Sequence, residues 1–113
     1  MNLLQEINTI LTGLGLPVET GVFSGEAPSE YVVLVPLVNL FGLHADDRPG
    51  IDIQEVRISL YTQSNYLARA DQVTRAILNA GIRVTARTYV DYEQDTKYHH
   101  ASIDAKNEYI WKE

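Results

Sequence analysis

The chain has 113 residues, no cysteine, and a net charge of −6 from 15 acidic and 9 basic side chains. That length fits one domain, 1–113, with a modest core. The acidic balance argues against a nucleic-acid binder working through a broad basic face, and the missing thiols exclude disulfides, thiolate chemistry and zinc sites built on Cys. An apolar fraction of 45% is ordinary for a globular domain. No apolar run approaches the length of a membrane span, and Met1-Asn-Leu-Leu-Gln-Glu6 lacks the basic region of a secretory signal.

Residues 2–12 read as an amphipathic helix. Leu3, Ile7, Ile10 and Leu14 form one stripe, widened by Leu4 and Leu11. Asn2 suits the N-cap, and Gly13, Gly15 and Pro17 stop the helix. Val18 to Phe23 is a first, weak strand, followed by turn chemistry from Ser24 to Ser29. Tyr31 to Val38 is apolar on both alternating faces, as in a strand covered on both sides, and Pro36 marks an edge, a bulge or its end. Asn39 to Gly50 is either a hairpin arm or a long loop, with Pro49-Gly50 fitting a reverse turn. Its Leu40, Phe41 and Leu43 are hard to bury in so small a core.

Ile51 to Tyr61 is a strand with a change of phase. Ile51 and Ile53 are apolar at odd positions, Val56, Ile58 and Leu60 at even ones, which predicts a break near Gln54 and Glu55. Thr62 to Asn65 ends the run. Tyr66, Ala70, Val73, Ile77 and Ala80 then trace one face of a second helix, with Gly81 at its stop. Ile82, Val84, Ala86 and Val90 alternate as a one-faced strand. Glu93 to Thr96 is a hairpin tip, and Ala101, Ile103, Ala105, Tyr109 and Trp111 lie along a last strand. The order is α-β-β-β-α-β-β. It describes an α+β fold, a mainly antiparallel sheet of about five strands with two helices on one face.

No constellation in this order announces a reaction. His99 and His100 are adjacent, so on a strand they point to opposite faces and cannot chelate one ion together. His44, Asp46 and Asp47 lack the spacing of a calcium loop and read better as a solvated turn. Asp91, Glu93 and Asp95 sit at a hairpin tip with no apolar pocket to shift a carboxylate. Ser24 and Ser64 have no nucleophile motif around them, and Gly13-x-Gly15 follows a helix rather than opening one. No catalytic residue, metal or cofactor is expected. Arg83, Arg87, Lys97 and Lys106 are a candidate basic patch for single strands, weighed against a plain solvated sheet face. Tyr89, Tyr92, Tyr98, Tyr109 and Trp111 crowd the last two strands, fitting either an interface or cross-strand packing within the fold.

The element order resembles the tail-terminator and tail-completion (minor tail or minor capsid) proteins of long-tailed bacteriophages. The resembling stretches are Leu3-Leu-Gln-Glu-Ile7, Tyr31-Val-Val-Leu-Val35, Val56-Arg-Ile-Ser-Leu-Tyr61, Asn65 to Val73, Ile77 to Ile82, and Tyr92 to Tyr98 leading into the last strand. They cover most of the chain as a pattern of elements. The resemblance implies a non-enzymatic virion component, made in the host cytoplasm, that self-assembles into a hexameric ring. Its implied partners are the tail-tube protein and the head–tail connector, with no membrane and no nucleic acid. Leu40, Phe41, Leu43 and Arg48 are the expected partner contact, with Tyr92, Tyr98, Tyr109 and Trp111 on the terminal hairpin second. The competing expectation is a small ligand-binding domain or enzyme with a pocket between sheet and helices.

Overall fold

The computed structural model describes residues 2–21, 25–45 and 48–111, and their side chains except at 43–45 and 48–49. The elements are α1 (Leu3–Gly13), β1 (Val18–Thr20), β2 (Glu30–Ala45), β3 (Arg48–Thr62), α2 (Tyr66–Asn79), β4 (Arg83–Glu93) and β5 (Tyr98–Ile110). They form one five-stranded sheet in the order β1-β2-β3-β5-β4. Every pairing is antiparallel except β1 with β2, which is parallel, so the sheet is mixed.

Both helices start as the sequence predicts. The Asn2 side chain accepts from the Gln5 N–H while Gln5 reaches back to the Asn2 N–H, a capping box that satisfies two of the helix's free donors. Asn65 caps α2 through the Ala68 N–H. Gly15 and Gly81 follow the two C-caps at φ +83° and +81°, a left-handed geometry that glycine adopts without a Cβ penalty.

The helices pack on one face of the sheet. Leu3, Ile7 and Leu11 from α1 and Val73 and Ile77 from α2 meet Val32, Leu34, Val56, Ile58, Leu60 and Ile103, all fully or nearly fully buried. A polar clamp closes one end of this core. Arg69 on α2 donates to Glu30 at the start of β2, and the hydroxyl of the fully buried Thr62 donates to the same carboxylate. Charged partners inside a drier environment strengthen such bonds.

Four expectations are corrected. The predicted strand from Val18 to Phe23 extends only to Thr20, because Gly21 turns the chain at φ +83°; Phe23 and Ser24 lie outside the described residues. The predicted break near Gln54 is absent: β3 pairs continuously with β5 from Ile51 to Thr62, and the bulge sits on β2 between Pro36 and Val38. Pro36 lacks the N–H that an unbroken ladder needs there. The one-faced β4 is also broken. Bulges between Val84 and Ala86 and between Tyr89 and Asp91 turn Ala86 away from the Val84 face, leaving β4 an exposed edge strand. Pro49-Gly50 is likewise part of β3 rather than of the turn.

Candidate interaction surface

Helix cover ends near the β2 bulge, but the strands do not. β2 runs on to Ala45 and pairs with β3 from Arg48, so residues 39–45 and 48–50 are the two sides of a hairpin arm. A 15- to 16-residue strand spans about 50 Å. It sets the long axis of a molecule measuring 55 × 27 × 24 Å. The radius of gyration, 15.4 Å, exceeds the roughly 13 Å of a compact chain of this length.

Continuity of β3 gives the phase change a different meaning. Val56, Ile58 and Leu60 face the helices, so Gln54 and Asp52 do too, while Ile53 and Ile51 face the other way. Past the bulge, Val38 and Leu40 join that second face, since Val38 lies opposite Glu55 and Leu40 opposite Ile53. Ile110 joins it opposite Ile51. The apolar side of the strand thus moves from the face covered by helices to a face that no described element covers. Leu40 is 56% exposed and Ile110 is 78% exposed. Gly42 fits the same row because a Cβ there would meet the Ile53 Cδ1 at 3.4 Å.

The helix-side face of the arm carries a second apolar group. Phe41, 50% exposed, meets Trp111 edge-on with ring centroids 4.8 Å apart. The Trp111 N–H donates to the Gly50 carbonyl at 3.1 Å, tying the end of the chain to the arm. Nearer the core, Gln54 donates to Asp52 at 2.7 Å and accepts the Leu3 N–H at 2.9 Å, anchoring the arm's base to α1.

The expected contact residues therefore divide. Leu40, Phe41 and Trp111 share the arm. The Leu43 and Arg48 side chains lie outside those described, as do those of His44, Asp46 and Asp47. Tyr92 is exposed at the far end of β4 against His99, ring centroids 4.6 Å apart. Tyr98 and Tyr109 turn inward. Tyr98 is buried, its hydroxyl donating to the Pro28 carbonyl, and Tyr109 packs against the core. The Tyr109 hydroxyl is buried without a hydrogen bond of good geometry among the described residues. Burial, then the Glu6 carboxylate beside it, pushes its ionisation up to about 12.

His99 and His100 point to opposite faces as predicted. His99 lies among Tyr66, Tyr89 and Tyr92, while His100 stacks on Tyr61 at 4.2 Å and Tyr61 on Tyr31 at 4.8 Å. Burial lowers the His100 pKa, against the opposing pull of Asp91 and Glu93. The predicted basic patch is split by the first β4 bulge. Arg83 faces away from the helices and pairs with Glu108 at 2.6 Å, whereas Arg87 faces α2 and pairs with Asp71 at 3.1 Å. Arg57 and Asp104 form a two-pronged cross-strand pair at 2.9 and 3.1 Å on the helix-free face, and this pair raises the Arg57 pKa.

Between α2 and β4 lie two adjoining clefts of 260 and 440 Å³ that share Asp71 and Arg87. Tyr66, Leu67, Ala70, Tyr89 and Ile103 line the first, and Arg75, Leu78 and Val84 the second. The competing expectation of a pocket between sheet and helices anticipates a groove of this kind but names none of its residues. The groove's trace in the sequence is Leu67 and Leu78, which fall off the buried stripe of α2 and are 60% and 51% exposed. No helix among the described residues is long and apolar enough to cross a membrane.

No family model matches the sequence, and no curated protein matches it. The fold does have solved counterparts. One is a chain of the virion of a native gene transfer agent particle, 16% identical, covering 90% of this chain and 84% of that one with a TM-score of 0.53. Another is 13% identical over 99% of both chains, with a TM-score of 0.51. At such identities the likeness establishes a shared fold, a mixed five-stranded sheet under two helices.

Proposed function

We infer that this chain is a non-enzymatic virion structural protein that completes or terminates the tail of a long-tailed phage or prophage at the head–tail interface. The observation that carries the reading is the uncovered apolar face of the arm, centred on Val38, Leu40 and Ile110. Contiguous exposed apolar surface of this kind marks association sites. The arm serves as a contact between copies that closes a ring, with six subunits expected, and the ring meets tail-tube and connector proteins. The fold shared with a chain of a gene transfer agent virion supports a place in a particle of this kind. A small-ligand pocket is less well supported. The more apolar cleft, at 260 Å³, is below the usual range of about 300–1,000 Å³ for ligand sites; the adjoining 440 Å³ cleft is within it but is lined mostly by exposed side chains, and the Asp71 and Arg87 that both share already satisfy each other. The test is addition of the purified protein to tails lacking it. Sedimentation with the tail end supports the reading; failure to bind any tail or connector protein counts against it.

A further inference from the structure

Building on the assembly reading, we propose that the groove between α2 and β4 receives the back face of the arm from a second copy of this chain. The contact is heterologous, arm to groove, and not arm to arm.

Charge along the chain supports this occupant. The described charged side chains of the arm and its base, Asp52 and Glu55, are both acidic, and Glu55 lies on the back face. Residues 66–88, which form α2 and the start of β4, carry four arginines and one aspartate, although the chain as a whole is at −6. Arg69, Arg83 and Arg87 are each engaged by Glu30, Glu108 and Asp71. Arg75 stands at the groove with no ion pair among the described residues. On the arm, Glu55 lies directly opposite Val38 and so borders the apolar patch. Glu55, flanked in register by Val38 and by Lys106 of β5, is therefore placed to meet the Arg75 of a second copy's groove.

Area points the same way. The exposed parts of Val38, Leu40 and Ile110 on this back face amount to about 300 Å², within the range of functional patches. A standard interface takes about 800 Å² from each partner, so these three side chains supply a little over a third of one side. Leu67 and Leu78 give the groove an apolar wall of its own. The patch faces away from the helices and the groove lies on the helix side. A copy bound through its arm thus keeps a free groove, which suits a head-to-tail series that closes into a ring.

The experiment is a mixing test on the full chain by sedimentation velocity, with circular dichroism confirming that each variant is folded. Leu40→Asp disables the arm and Leu67→Asp disables the groove. Each alone is expected to weaken self-association at least about tenfold. Mixed, they form a dimer and stop there, because one intact arm meets one intact groove. Arg75→Glu is expected to weaken assembly and Glu55→Lys in the same chain to restore it. Wild-type protein that assembles while Leu67→Asp and Arg75→Glu assemble equally well overturns the groove and leaves the arm reading standing. Leu40→Asp that assembles like wild type, or wild type that never assembles, overturns both.

Discussion

Replacing Leu40 and Ile110 together by serine separates what the arm does for the fold from what it does for assembly. Burying a Leu or Ile side chain completely is worth about 1.5–3 kcal/mol. Leu40 is 56% exposed and Ile110 is 78% exposed in the isolated chain, so roughly half to three-quarters of that value is unrealised. An interface that covers both gains about 2–4 kcal/mol from them, or about 30- to 700-fold in the dissociation constant. The fold gains little from either, and exposed substitutions of this kind usually change stability by about 0.5 kcal/mol or less. Ile58→Ala, at a fully buried position, is the contrasting control and costs about 2–5 kcal/mol. Thermal melts give the stability of each variant and sedimentation equilibrium gives the association constant. A double variant that melts like wild type and associates far more weakly agrees with the account. One that loses several kcal/mol of stability, or associates unchanged, refutes it.

Three further outcomes follow from local geometry. Lys97 holds φ +63° in the β4–β5 turn, where its N–H donates to the Glu93 carbonyl at 2.7 Å, so Lys97→Gly is expected to raise stability by about 0.5–1 kcal/mol in a urea melt. Arg69→Ala leaves the Glu30 carboxylate half-buried beside Thr62 without its cation; a loss of about 1–3 kcal/mol, seen as a lower melting temperature, is expected. Tyr109→Phe removes a buried hydroxyl, so stability at pH 7 is expected to stay level or rise slightly. Because the folded-state pKa of Tyr109 is raised to about 12 from 10, its neutral form favours the fold below pH 10. That contribution is lost as pH rises from 10 through 12. The wild type should therefore weaken over this window more steeply than the Phe variant, as alkaline melts would report.

Most of the architecture was legible because its signals are local. Helix stripes, caps and the glycine stops depend on neighbours within a few residues, and both helices fall where those signals place them. The β4 bulges were hidden because alternation over Ile82, Val84, Ala86 and Val90 looks regular until the partner strand fixes the register. The misread break at Gln54 is more instructive. Period-two alternation reports which side is apolar, not where the burial comes from. A straight strand whose apolar side changes looks like a kinked strand with one core. Here the strand pairs without a break, and the apolar side changes where the helices end. The arm's exposure was therefore readable in outline from Leu40 and Phe41, but its back-facing patch needed the register of β2, β3 and β5. The inward turn of Tyr98 and Tyr109 was unreadable for a similar reason. Tyrosine serves equally well as an interface residue and as a lid on a core.

Solution mass across a concentration series, by light scattering after size exclusion, tests the central claim most directly. Growth from monomer toward a closed ring, abolished by Leu40→Asp in a chain that still folds, is the result the account predicts. A wild-type chain that stays monomeric at every concentration, or a Leu40→Asp chain that assembles as wild type does, contradicts it.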